Sequence, residues 1–252
     1  MIAIGKVDIG KKRERNEDAL FVSNQAIGIL PNLYIVADGM GGHQAGGIAS
    51  KRAIDLFKDY IEQHRMVTIQ TREDVLRLLK MGIMHANHNL YEMAAHDEAY
   101  AGMGTTFTVA TIMENILFLA HVGDTRAYLI NSDSIFQATT DHSLVQEMLE
   151  QGYISKNEMK EHPQRHIITR AVGTYEKLKV DTLMYDMNQV EYILLCSDGL
   201  TSMVTDTTIH AIVYGAQGNI DQIADQLIQE ANQQGGLDNI AVVIVKKYEV
   251  SQ

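Results

Sequence analysis

Three β-forming runs follow one another with almost nothing between them: residues 105–113, 116–122 and 126–130, rich in Val, Ile, Phe, Tyr and Thr. The connections are two and three residues long, whereas a parallel return needs a dozen or more. Antiparallel pairing is the only arrangement open to them. Strands are also expected at 2–8, 18–23, 33–37, 192–197 and 240–248. Apolar residues at helical spacing mark 48–63, with Ala49, Ala53, Ile54, Phe57 and Ile61 on one face, and 71–96, where Thr71 and Asp74 resemble a capping box. Shorter helices are expected at 143–151, 155–161, 205–214 and 220–233, the second opened by Ser155 with Glu158 and stopped before Pro163. Helices and strands come in blocks rather than in strict alternation, which defines an α+β domain with antiparallel sheets.

No linker rich in Pro, Gly or Ser divides the 252 residues, so one domain over 1–252 is expected. No apolar run approaches a membrane span, and "MIAIGKVDIGKKRERNED" (1–18) contains no apolar segment of signal-peptide length. The single cysteine, Cys196, lies in an apolar run and reads as a buried small hydrophobe; with no disulfide framework, the cytoplasm is the expected compartment. A net charge of −11 argues against nucleic acid as partner.

Two stretches share one construction. "YIVADGMGGH" (34–43) and "YILLCSDGL" (192–200) each run apolar and then stop at Asp-Gly. A lone Asp-Gly is a favoured hairpin turn, but two copies need another account. Asp124 ends "NILFLAHVGD" (115–124), Asp238 precedes "NIAVVIVKKY" (239–248), and Asp18 opens a further strand. In antiparallel sheets the end of one strand lies beside the start of its neighbour, so these acids can meet at one edge. Converging carboxylates repel unless cations lie between them. Hard divalent ions with oxygen ligands, Mn²⁺ or Mg²⁺, suit the set. No His pair or Cys cluster has zinc spacing. Gly39 leaves its own carbonyl sterically open as a further ligand.

The segments "GKKRERNEDA" (10–19), "VADGMGGHQAG" (36–46), "GMGTTFTVA" (102–110), "HVGDTRAYL" (121–129), "DHSLVQEML" (141–149), "HPQRHIITRAVG" (162–173), "LLCSDGLT" (194–201) and "GGLDNIAVVIV" (235–245) resemble, in order, the motifs of the metal-dependent protein phosphatases of the 2C (PPM) type, in the compact bacterial single-domain form. The resemblance implies a four-layer αββα sandwich of two stacked antiparallel sheets flanked by helices. It implies hydrolysis of phosphoserine and phosphothreonine in proteins by a hydroxide shared between two Mn²⁺ or Mg²⁺ ions, with a weaker third. Carried over by position, Asp38 is similar to the bridging ligand, Gly39 to the carbonyl ligand, and Asp198 and Asp238 to ligands of the other ion. Asp18 matches an inner or water-mediated ligand, and Asp124 a ligand of the third ion. Neighbouring Glu17 and Asp18 cannot both face inward on a strand, and Asp18 is the expected one.

Arg13 matches the residue that grips the phosphate, which suits a planar fork. His43 matches the family's general acid; without the resemblance it reads as a solvated loop residue. The resemblance also implies phosphorylated proteins as partners, a cognate Ser/Thr kinase among them, and a flap at roughly 141–170 that holds His142, His162 and His166. Gly102, Gly104, Thr105 and Thr106 read as a structural turn and strand, and His121 as a packed histidine. "VDIG", "GDTR" and "DNIA" depart slightly from the family's pattern without removing a carboxylate. Two readings from other classes compete: a non-catalytic metal-binding module on the same fold, and a nucleotide binder using "DGMGGHQAGG" (38–47), which lacks a Walker-type Gly-Lys-Ser/Thr and the G-x-G-x-x-G spacing. A two-metal nuclease is opposed by the acidic net charge.

Overall fold

In chain order the strands of the computed structural model, which describes residues 1–42 and 45–247, are β1 (Ile2–Asp8), β2 (Asp18–Ser23), β3 (Leu33–Met40), β4 (Gly104–Thr105), β5 (Phe107–Met113), β6 (Ile116–Val122), β7 (Arg126–Ile130), β8 (Ile135–Gln137), β9 (Asp181–Asp186), β10 (Tyr192–Cys196) and β11 (Ile240–Lys246). The helices are α1 (Ala45–Gln63), α2 (Arg72–His96), α3 (Leu144–Glu150), α4 (Lys156–Glu161), α5 (Asp198–Thr201), α6 (Asp206–Gly215) and α7 (Ile220–Gln233). Thr71 and Asp74 close the capping box at the start of α2, and Ser155 with Glu158 does the same for α4.

One sheet has the order β1-β11-β10-β7-β8; the other has β2-β3-β5-β6-β9, with β4 paired to β3. Every strand pairing is antiparallel. The alternation of side chains along each strand sorts the layers. On β3, Leu33, Ile35 and Ala37 join Phe57, Leu79 and Ile83 of α1 and α2 in one apolar cluster. Tyr34 and Val36 point the other way and meet Val243, Leu195 and Leu129 of the second sheet. On β11 the outward set, Ile240, Val242 and Ile244, packs on Leu227 and Ile223 of α7. The result is helix, sheet, sheet, helix, as expected. Cys196 lies on the outward face of β10, fully buried.

Three differences from the sequence reading matter for the site. The expected strands 116–122 and 126–130, read as an antiparallel pair, lie in different sheets: β6 pairs with β5 and β9, and β7 with β10 and β8, so the connection 123–125 crosses between the sheets instead of closing a hairpin. The expected strand 33–37 continues to Met40, because Asp38 pairs across to Asp18 of β2 while Gly39 and Met40 pair with β4. Asp38 therefore sits inside a strand rather than at its end. The expected strand 105–113 is two strands broken at Thr106, whose backbone N–H turns aside to the Asp38 carbonyl (2.9 Å). The short edge strands β8 and β9 and the single-turn helix α5 carry too little periodicity to stand out in the sequence.

Candidate metal centre

Register parity aims the first two acids. Leu20 and Val22 of β2, like Tyr34 and Val36 of β3, face the opposite sheet, so Asp18 and Asp38, directly opposed across the ladder, share that face at its rim. Glu17 goes the other way: a Cβ on Gly46, in the first turn of α1, would lie 2.8 Å from Glu17 Oε1. Of that neighbouring pair, Asp18 is the inward one.

The other three acids come from the second sheet and from the connection that crosses between the two sheets. Asp198 is the first residue of α5, immediately after β10, and Asp238 lies just before β11. Because β10 and β11 pair antiparallel, with Cys196 opposite Val242, the end of one meets the start of the other. Gly199 makes that approach close: a Cβ there would collide with the Asn239 carbonyl oxygen. Gly39 has the same function, since a Cβ on it would collide with the Gly46 carbonyl. The repeated Asp-Gly is thus not a hairpin turn; each glycine admits a neighbouring backbone beside the acid. Asp124 sits in the connection between β6 and β7.

Asp18 and Asp124 are buried (4% and 9% exposed), while Asp38, Asp198 and Asp238 are partly open to solvent. Burial raises the Asp18 carboxyl to about 7, opposed by the Ser197 hydrogen bond and reinforced by Asp198 and Asp238. Asp38 is held well above the usual carboxylate range by burial, then by Asp18, Asp198, Asp124 and Asp238. Asp124 is raised by burial and then Asp198, and Asp198 by burial and then Asp238. Asp18, Asp38, Asp124 and Asp198 each sense the charge of at least one other acid, and the cause is convergence in a poorly solvated rim.

The donor set fits hard cations. Among the described residues, the buried atoms Asp18 Oδ1, Asp124 Oδ1 and Asp198 Oδ1 have no hydrogen-bond partner, and a buried acceptor left unpaired costs on the order of 1–3 kcal/mol or more. Among the described residues no three His, Cys, Asp or Glu side chains form a finished metal cage. The metal preference comes from the donors themselves: carboxylate and carbonyl oxygens suit Mg²⁺ and Mn²⁺, whereas closed Zn²⁺ sites are built from His and Cys.

Neighbouring side chains hold the acids in place. Ser197 Oγ donates to Asp18 Oδ2 (2.7 Å) and accepts from Ala241 N (2.8 Å), tying the two sheets together. Thr105 Oγ1 donates to the Asp38 carbonyl (2.9 Å), and Asp38 N donates to Thr106 Oγ1 (2.9 Å). Asn239 Nδ2 donates to the carbonyls of Ile9 and Arg15 (both 2.9 Å), and its Oδ1 accepts from Glu17 N (2.8 Å). Ser197 and Asn239 were not singled out in the sequence. Each adjoins a predicted ligand, yet its partners are remote in the chain.

Arg13 is at the site. Its Nη2 donates to Asp238 Oδ2 (2.7 Å), and both side chains are partly exposed. His43 lies outside the described residues. His121 is packed: it is fully buried and bonded to Thr108 Oγ1 (2.8 Å) and the Thr140 carbonyl (3.1 Å). The 141–170 segment is pinned at its base, where Leu144 N donates to Ile167 O (2.9 Å) and Thr169 N to His142 O (2.8 Å). Beside it, Arg126 grips Asp141 through Nε and Nη2 (2.7–3.1 Å), and the Gly123 N–H donates to His142 Nδ1 (3.0 Å).

The Protein phosphatase 2C family model matches residues 3–240. The chain is 37% identical over 244 residues to the serine/threonine phosphatase stp of Listeria welshimeri, covering 96% of this chain and 94% of that one. It is 37% identical over 243 residues to the protein phosphatase PhpP of Streptococcus pneumoniae, covering 96% of each. The crystal structure of the serine/threonine phosphatase Stp1 from Staphylococcus aureus superposes with a TM-score of 0.89 at 36% identity, covering 98% of this chain and 95% of that one. The sandwich, the acid-lined rim and these likenesses agree: the chain belongs to the protein phosphatase 2C family of metal-dependent protein serine/threonine phosphatases.

Proposed function

We propose that this phosphatase holds two Mn²⁺ or Mg²⁺ ions through Asp38, the Gly39 carbonyl, Asp198, Asp238 and Asp18, with a weaker third ion at Asp124. The observation that carries the reading is the set of buried oxygens on Asp18, Asp124 and Asp198 without a hydrogen-bond partner among the described residues, beside an Asp38 whose carboxyl is raised by burial and by the acids around it. Bound divalent cations would neutralise that charge, acidify water at neutral pH and attract phosphate.

The chain's own residues supply the remaining parts. Arg13 commits Nη2 to Asp238, and the other donors of its fork are left to grip two phosphate oxygens. Asn239, by fixing Ile9, Arg15 and Glu17, keeps the loop that bears Arg13 from swinging away. Ser197 orients one Asp18 oxygen and leaves the other for a cation. His43 would give a proton to the departing seryl or threonyl oxygen, which is a poor leaving group without one.

Substrates are phosphoseryl and phosphothreonyl proteins; a cognate Ser/Thr kinase is the partner we propose among them, and the cytoplasm the compartment. Among the described residues no helix is long and apolar enough to cross a membrane. The test is release of phosphate from a phosphopeptide in saturating Mn²⁺, with EDTA and Asp38→Asn as controls. We expect EDTA to abolish turnover and Asp38→Asn to reduce it by at least two orders of magnitude, as loss of a central electrostatic group does. Near-normal turnover by Asp38→Asn would remove the bridging role.

A further inference from the structure

Residues 11–15, "KKRER", carry four cations and one anion in a chain of net charge −11. All five are exposed. Arg13 is paired with Asp238. Among the described residues, Lys11, Lys12 and Arg15 make no side-chain hydrogen bond or ion pair. A free basic run is ordinarily a solvated face, but this one is not left loose.

Asn239, 4% exposed, donates to the carbonyls at residues 9 and 15, the two ends of the loop. Lys11 N donates to Gly236 O (2.7 Å). Gly10 has φ +76°, and a Cβ on it would collide with the Asp238 carbonyl. The loop is thus held beside Asp238, with three exposed, uncommitted cations flanking Arg13 in the chain. Preorganised charges of this kind bind without first losing backbone freedom.

We propose that Lys11, Lys12 and Arg15 form a subsite for carboxylate side chains, so that the enzyme favours phosphorylated residues flanked by Asp or Glu within about three positions. The inference rests on the reading of Arg13 as the phosphate-gripping residue. Lys11 and Arg15 are two residues from Arg13, so their Cα atoms lie within about 7 Å of its own. An extended peptide rises about 3.3 Å per residue, so a phosphate held at Arg13 brings its near neighbours within reach of those side chains. Exposed charge pairs contribute roughly 1.5- to 5-fold each, and two such contacts amount to about tenfold.

The test compares two phosphoserine peptides that differ only in Glu or Gln at the flanking positions, hydrolysed by the Mn²⁺-loaded protein. p-Nitrophenyl phosphate, which has no flanks, reports the catalytic centre alone. We expect the Glu peptide to be favoured about tenfold in kcat/KM at low salt, through KM. The preference should shrink toward parity near about 0.5 M salt, where screening is nearly complete. The triple variant Lys11→Gln, Lys12→Gln, Arg15→Gln should erase the preference and leave p-nitrophenyl phosphate turnover unchanged. Lys12→Gln alone should weaken it in part. Equal rates on both peptides, or a preference that survives in the triple variant, would overturn the subsite and leave the metal centre standing. An unaltered protein inactive on p-nitrophenyl phosphate would overturn the metal-centre reading, and the subsite with it.

Discussion

Replacing Asp18 by asparagine should stabilise the metal-free enzyme at alkaline pH and weaken its response to metal. The native Asp18 carboxyl stands at about 7 against a reference of 3.8, so between those values the folded state holds a proton that the unfolded chain has released. The contribution to stability is fully present below about pH 3.8, falls as pH rises to about 7, and is level beyond. The difference, 7 − 3.8, is about 3 units, or about 4 kcal/mol at 1.36 kcal/mol per unit. Asparagine has no charge to desolvate, but it disturbs the bond from Ser197, a loss of about 1 kcal/mol. The expected net gain at pH 8 in EDTA is about 3 kcal/mol, roughly 6–12 °C in Tm for a chain of this size. At pH 5 only about 1.2 units remain, so the gain falls below about 1 kcal/mol. Saturating Mn²⁺ should raise the parent's Tm more than the variant's, since the variant lacks the anionic ligand proposed at Asp18. The assay is thermal unfolding of both proteins at pH 5 and 8, with EDTA and with Mn²⁺. An Asp18→Asn protein less stable than its parent in EDTA at pH 8, or an advantage independent of pH, would refute the account of a charge strained by burial and like-charged neighbours.

Other consequences can be measured separately. Gly199→Ala would drive a methyl into the Asn239 carbonyl, so the start of β11 must shift; we expect a loss of about 1–3 kcal/mol in urea unfolding together with weaker Mn²⁺ binding by calorimetry, and unchanged metal affinity would contradict the positional argument. Asn239→Ala removes two donors and leaves Glu17 N without its acceptor, which should cost about 2–4 kcal/mol by chemical denaturation; a loss below about 0.5 kcal/mol would count against its clamping role. Burial, then His142, pushes His121 down to about 3, so its contribution is fully present above about pH 6.5 and is lost as pH falls toward 3. Between pH 6.5 and 4.5 the parent should lose about 3 kcal/mol more than His121→Gln, and parallel pH profiles would rule that out.

Antiparallel pairing of β5 with β6 is legible in the chain, because a two-residue connection permits nothing else; the three-residue connection after β6 instead crosses to the other sheet, where β7 pairs with β10 and β8. The sequence by itself also located the acids, the capping boxes at Thr71 and Ser155, and the helix stripes, all of which are set by periods of a few residues. Tertiary structure decided which oxygens converge. That β3 runs through Asp38 to Met40 depends on partners in β2 and β4, and that Asp18 rather than Glu17 faces the centre depends on which face of the sheet meets the other sheet. The duties of Ser197 and Asn239 fall on groups 179 and more than 220 residues away. The physical reason is one of range. Propensity, capping and alternation are local, whereas the contacts that bring unlike segments to one rim exist only after two sheets have stacked and their glycines have admitted a neighbouring backbone.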